Sequence, residues 1–308
     1  MKAFKFLSNT ALVFSVVLLA SCSSDNDEVI NSSDDVAETK TVAKKIEFKA
    51  NIVPTGSSDE TRATLESDYS ISWDERDQIY VYCDNNDQAV EFGITPSSID
   101  GATATFTNYG EELPSWFDAK WYYYAIFPHS SGMFDATSSR ISSMLPTNQS
   151  VSVGRTYDKN ALFMTAIADK DERIFNFMNI PALIKVTISN NGSGKVKFIE
   201  IESKNTANIL TGNFEVTPLY YPNKINIKSV SGADKKHTVK LQIPASEETQ
   251  DFYLAVLPGR FDGLTLKFEG DSGVLAKHEG SKTVEFTRSK IYDFGSYDIE
   301  KEINPEVK

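Results

Sequence analysis

The sequence has little of what catalysis needs. It holds two cysteines and three histidines among 308 residues. His129, His237 and His278 stand far apart, with no two at metal-ligand spacing. No glycine-rich phosphate loop precedes a helix. The turn Asp84-Asn85-Asn86-Asp87 lacks the alternating ligands and terminal Glu of a calcium loop. Gly270-Asp271-Ser272-Gly273 looks like a serine-protease nucleophile signature, but Val274 replaces the next glycine and the tetrapeptide lies where a hairpin must turn after Phe268. These absences leave no enzyme, no catalytic residue, no metal site and no cofactor to assign. Positive charge is also short: 43 acidic residues face 31 basic ones, a formal net charge of −12. Such a surface disfavours nucleic acid, whose phosphates need clustered Lys and Arg.

Long apolar runs are missing as well. The longest, Ala11 to Ala20, covers about half of the roughly 20 residues that a membrane-spanning helix requires. It follows Lys2 and Lys5 and precedes Leu19-Ala20-Ser21-Cys22. A charged start, a short apolar stretch and small residues before a cysteine make residues 1–21 a signal peptide. The last four residues resemble a bacterial lipobox, which implies a diacylglyceryl group on Cys22. The acidic run Ser23-Ser24-Asp25-Asn26-Asp27-Glu28 resembles the surface-export signal of Bacteroidetes lipoproteins. With Cys22 lipidated, Cys83 has no partner for an internal disulfide and is expected to be a small strand residue.

Helical periodicity is absent too, and strands take its place. Residues 22–43 are polar and unpatterned, a flexible tether. Residues 45–52 then alternate strictly, with Ile46, Phe48, Ala50 and Ile52 on one face. Further strands are expected over 78–82, 89–94, 102–106 and 121–127, the last apolar on both faces as a central strand should be. In the second half they fall at 181–188, 196–201, 239–243, 252–257 and 264–268. Asp84-Asn85-Asn86-Asp87 and Asn190-Asn191-Gly192 read as turns. The pattern gives an all-β chain, two sandwiches in tandem. The charged stretch Ala168-Asp169-Lys170-Asp171-Glu172 sets the boundary, so that residues 44–170 and 171–308 are the two domains.

One constellation is mechanical. Residues 56–64 are polar and contain a single basic residue, Arg62, a suitable site for an Arg-specific protease cutting before Ala63. The cut separates strand 46–52, with its tether and lipid, from everything downstream. A strand lost in this way leaves an apolar groove and unpaired backbone, which a strand from another subunit can fill. Head-to-tail filling does not close on itself and gives a filament.

The chain resembles the fimbrillin family of Bacteroidetes lipoprotein pilins over nearly all of residues 1–300. The resemblance rests on the lipobox at Cys22, Thr61-Arg62-Ala63, Trp73-Asp74-Glu75-Arg76-Asp77-Gln78-Ile79-Tyr80-Val81 and Tyr123-Tyr124-Ala125-Ile126-Phe127-Pro128. It continues in Leu145-Pro146-Thr147-Asn148-Gln149-Ser150, Phe252-Tyr253-Leu254-Ala255-Val256-Leu257-Pro258 and Ser289-Lys290-Ile291-Tyr292-Asp293-Phe294. It implies two transthyretin-like β-sandwich domains, outer-membrane lipoprotein export, Arg-directed maturation and donor-strand assembly with other fimbrial subunits. Two departures stand out. Arg76 occupies a position where the family commonly has Gly, and the C-terminal segment is poorly apolar and includes Pro305. Within that segment Tyr297, Ile299 and Ile303 are the alternating residues a donor strand would insert. The alternative from a different class is a monomeric, surface-tethered protein that binds a host glycan or protein through Trp116, Trp121 and Tyr122-Tyr123-Tyr124.

Overall fold

A computed structural model describes residues 45–53, 71–108, 111–128, 132–151, 155–218, 226–229 and 236–303. Among them, strands dominate. The first five are β1 Glu47–Ile52, β2 Gln78–Cys83, β3 Ala89–Ile94, β4 Thr103–Thr107 and β5 Tyr122–Phe127. Next come β6 Gly132–Asp135, β7 Arg140–Leu145, β8 Asn148–Ser150, β9 Met164–Asp169 and β10 Ile174–Asn179. Then follow β11 Ala182–Ser189, β12 Phe198–Ser203, β13 Gly212–Thr217, β14 Asn226–Ser229, β15 Thr238–Gln242 and β16 Gln250–Val256. The series ends with β17 Gly259–Asp262, β18 Leu264–Gly270, β19 Gly273–Glu279, β20 Thr283–Phe286, β21 Ile291–Asp298 and one short helix, α1 Ile299–Ile303.

The all-β expectation holds, with one change of architecture. Seven strands close into a barrel in the order β1-β10-β9-β5-β2-β3-β4, where two open sheets were expected. Closure follows from β1, which pairs antiparallel with β4 through Phe48↔Phe106 and parallel with β10 through Ala50↔Phe175. With a partner on each side of every strand, the barrel has no free edge. Alternation along β1 puts Phe48, Ala50 and Ile52 inside and Glu47 and Lys49 in solvent.

The stretch read as a domain boundary is a hairpin turn. Asp169 ends β9, the amide of Arg173 donates to the Asp169 carbonyl, and β10 returns to the barrel. The barrel thus runs past residue 170 to Asn179, because Phe175 and Phe177 are fully buried in its core. Two hydrophobic clusters result. One fills the barrel, runs on to Ile141, Leu183, Phe214 and Ala255 outside it, and is rich in rings, among them Phe48, Phe92, Phe106, Tyr123, Phe175 and Phe177. The second is mostly aliphatic, built from Ile184, Val186, Ile199, Ile201, Leu241 and Leu254, and it includes Ile299 of α1.

The second cluster lies between a three-stranded sheet ordered β16-β11-β21 and a five-stranded one ordered β19-β18-β12-β15-β8. Chain order does not separate the two halves cleanly. β8 joins the five-stranded sheet, and β13 pairs with β7 through Phe214↔Ser143. The buried Gln149 explains part of the 145–150 motif. Its amide nitrogen donates to the Ala255 carbonyl at 2.8 Å, and its oxygen accepts from the Ala255 amide at 2.9 Å, so one side chain replaces a rung of backbone ladder.

Candidate functional site

The groove occupied by β1 is tightly filled. Ile46, Phe48, Ala50 and Ile52 are 1%, 0%, 0% and 6% exposed. Phe48 sits in a box of rings: Phe175 stacks on it at 4.8 Å, while Phe92 and Tyr123 approach edge-on at 5.1 and 5.0 Å. Two positions on, Ala50 is fully buried opposite Ala104 of β4 and Phe175 of β10, in a close-packed interior that a larger side chain would have to displace. Outward, Asn51 donates to Asn176 across the β1–β10 pair at 3.0 Å. Removing β1 would expose these pockets and leave both β4 and β10 with open edges. The lost burial amounts to about 5–10 kcal/mol as an upper bound.

The Trp73 motif braces the same barrel. Trp73 packs edge-on against Phe106, Phe127 and Phe177 at 5.0 to 5.4 Å. Behind it the chain turns tightly, with the Asp77 amide donating to the Asp74 carbonyl and the Asp74 amide to the Asp77 carboxylate. Arg76 is accommodated because its side chain lies outside the turn while its amide donates to the Asp74 carboxylate at 3.1 Å. That bond, with Lys159 and Arg155 nearby, holds the Asp74 carboxyl below its ordinary range although burial opposes it. Lys159 in turn pairs with the buried Asp77.

At the other end of the chain, Tyr297, Ile299 and Ile303 do not form a continuous strand. Tyr297 lies near the end of β21, packed on Phe268 at 5.0 Å and His278 at 4.9 Å. Ile299 and Ile303 fall on α1, where a four-residue spacing brings both to the second cluster; Ile299 is 1% exposed. A Glu302 carboxylate oxygen lies 2.9 Å from His278 Nε2, and Lys301 pairs with Asp298 at 2.9 Å. The tail is therefore docked on its own body.

The remaining residues singled out in the sequence separate into structural parts. Asp84 accepts the amides of Lys120, Trp121 and Tyr122 at 2.8, 2.7 and 3.2 Å, and Asp87 accepts that of Ala136 at 2.5 Å. Their carboxylates thus tie the β2–β3 turn to neighbouring backbone. Asp271 and Ser272 form the turn between β18 and β19. Cys83 is buried, and burial, with Asp84 and Asp118, pushes its thiol up to about 12. Among the described residues no group of three His, Cys, Asp or Glu side chains is placed to hold a metal. Tyr123 and Tyr124 are buried, Trp116 and Tyr122 half-buried, and Trp121 is 58% exposed. Cys22, Arg62 and Ala63 lie outside the described residues, as does His129.

Sequence reasoning missed β10, the second partner of β1. Its signal was present, since Phe175 and Phe177 alternate with Ile174 and Asn176. It also missed α1, for which Ile299 and Ile303 give no distinguishing pattern.

No family model matches the chain, and no curated protein does. Solved structures do. A candidate cell adhesion protein from Bacteroides ovatus aligns with 83% of this chain and 92% of its own at 14% identity and a TM-score of 0.50, which shows a shared fold. A candidate cell adhesion protein from Bacteroides uniformis covers 82% of this chain and 93% of its own at 14% identity and a TM-score of 0.46. The tip fimbrial protein Mfa3 from Porphyromonas gingivalis covers 77% and 81% at 8% identity and a TM-score of 0.31. The chain is structurally similar to these adhesion and fimbrial proteins.

Proposed function

We propose that this chain is a cell-surface fimbrial subunit, carried to the outer membrane as a lipoprotein on Cys22, matured by cleavage between Arg62 and Ala63, and assembled by strand exchange. One observation carries this reading: β1 is the first strand of the barrel in chain order and closes it between β4 and β10. It is joined to β2 through residues 53–77, which include Arg62, and it buries Phe48, Ala50 and Ile52 in a closed sheet, with Ile46 buried just before it. A strand so placed can leave without any other element unthreading. The groove it vacates offers two strand edges and a ready set of apolar pockets. The fold shared with a candidate cell adhesion protein agrees with this assignment. We read the two hydrophobic clusters as the cores of two domains.

Limited Arg-specific digestion of the lipid-free protein tests the proposal, with mass spectrometry and electron microscopy as readouts. The expected product begins at Ala63, and it oligomerises with a partner subunit once the N-terminal fragment is displaced. An uncut Arg62, or a cut chain that stays monomeric with every fimbrial partner tried, rejects it. The surface-tethered binding protein keeps one supporting observation, the exposed ring of Trp121 with the Lys120 ammonium 5.7 Å from its centroid.

A further inference from the structure

The groove under β1 prescribes what can enter it. An incoming strand must present four alternate side chains to the barrel, in the places of Ile46, Phe48, Ala50 and Ile52. The second place is a box of three aromatic rings. The third is closed by Ala104 and Phe175, its register partners on β4 and β10. The four places are at most 6% exposed, so a charge brought into any of them loses nearly all of its water. A larger side chain in the third place overpacks the barrel.

The chain's own C-terminal segment fails this requirement in every register. Within residues 295–308, any four alternate odd-numbered positions include Lys301, and any four alternate even-numbered positions include Glu302. Reversing the strand direction changes nothing, since the same residues face inward. In the register that places Tyr297, Ile299 and Ile303 in the first, second and fourth pockets, Lys301 falls on the pocket of Ala50. The segment is also engaged elsewhere: Ile299 is buried in the second cluster, Ile303 packs against it, and Lys301 pairs with Asp298.

We propose that the strand entering this groove is not residues 295–308 of a second copy but a segment of another subunit that meets these four places. That partner presents uncharged side chains in the order aliphatic, aromatic, small, aliphatic. The inference rests on the strand-exchange reading and specifies its partner. Copies of this chain then do not follow one another in a fibre through residues 295–308.

Peptide competition on the lipid-free chain cut at Arg62 tests it, with native mass spectrometry counting each peptide that displaces the N-terminal fragment. The probes are residues 45–53, the same peptide with Ala50→Lys, residues 295–303, and the latter with Lys301→Ala. The 45–53 peptide is expected to enter. The Ala50→Lys and 295–303 peptides should be at least about a hundredfold weaker, as befits an unpaired buried charge. Lys301→Ala should recover at least about tenfold. If the unaltered 295–303 peptide enters within about threefold of 45–53, self-donation is possible and the inference falls while strand exchange survives. The inference also falls if Ala50→Lys costs nothing or Lys301→Ala gains nothing. If 45–53 itself cannot enter, the strand-exchange reading fails and the inference goes with it.

Discussion

The described chain begins and ends with terminal elements of opposite character. β1 has a neighbour on each side, β4 and β10, and closes the barrel between them. β21 has one, β11, and lies at the margin of its sheet. Its pairing is interrupted by a bulge between Lys185 and Thr187, and it hands the chain to α1 rather than to a further strand. The cores differ in the same sense. β1 inserts a ring among rings, whereas α1 rests Ile299 on an aliphatic layer. Loss of β1 turns two interior strands into edges. Loss of α1 uncovers a surface and creates no new edge. Of the two, only the N-terminal element closes a barrel, and only its loss would leave two strands open to new pairing.

The first way to break that comparison is Phe48→Ala. Emptying the ring box should cost about 3–5 kcal/mol, read as a shift in urea midpoint. Cys83 gives a second readout in a chain that starts after Cys22. Its thiol, held near 12 by burial with Asp84 and Asp118, resists alkylation in the closed barrel. Phe48→Ala should raise its labelling rate together with amide exchange in β4 and β10. Protection unchanged in those strands would mean that β1 is not what keeps the barrel shut. The matching change at the other end, Ile299→Ala, should cost less, about 2–3 kcal/mol, because a one-sided contact relaxes more easily. Its exchange signature should be confined to α1 and β21, with Cys83 labelling as in the parent.

The same contrast explains what the sequence could disclose. The inward set of β1 was legible, because period-two alternation reports which residues share a face. It does not report which strands lie alongside, so closure onto β10 was not. Lys170, Asp171 and Glu172 look like a linker by composition, yet a hairpin turn needs the same polar residues. Two turns, at residues 84–87 and 271–272, were legible because short Asp- and Gly-rich spans must reverse between apolar runs. At the C-terminus the difficulty is geometric. Residues four apart share a face in a strand and also in a helix, so Ile299 and Ile303 fit both. Lys301 decides the matter: a strand would aim it inward with them, while α1 leaves its side chain 71% exposed.

A smaller effect sharpens the comparison on the outer face of the five-stranded sheet. There Lys267 bridges Glu200 at 2.9 Å and Glu202 at 2.6 Å, and Lys240 bridges Glu200 at 3.2 Å and Glu269 at 2.6 Å. The hydrogen bond from Lys267 holds the Glu202 carboxyl below its ordinary 4.5, against the opposing pull of burial. A lowered carboxyl contributes stability above its unfolded value, and that contribution fades as pH falls through the folded one. Glu202→Gln should therefore lower stability by no more than about 1 kcal/mol at pH 7. The difference should shrink below pH 4.5. A deficit that persists undiminished in acid would assign the loss to packing, not charge.

The smallest effect belongs to the one barrel tryptophan that faces solvent. Trp73 and Trp121 have opposite environments within a single barrel: Trp73 is 4% exposed among three rings, and Trp121 is 58% exposed. Trp121→Ala should leave stability within about 0.5 kcal/mol, as for other surface substitutions. Strand capture at the β1 groove should be unaffected, since Trp121 is absent from the pockets that receive it. A binding measurement against host glycans and matrix proteins gives this variant its value. If the fimbrial reading is complete without a ring platform, parent and variant bind alike. A loss of binding confined to Trp121→Ala, with stability and strand capture intact, would place a second recognition surface at the mouth of the barrel, separate from the groove that β1 fills.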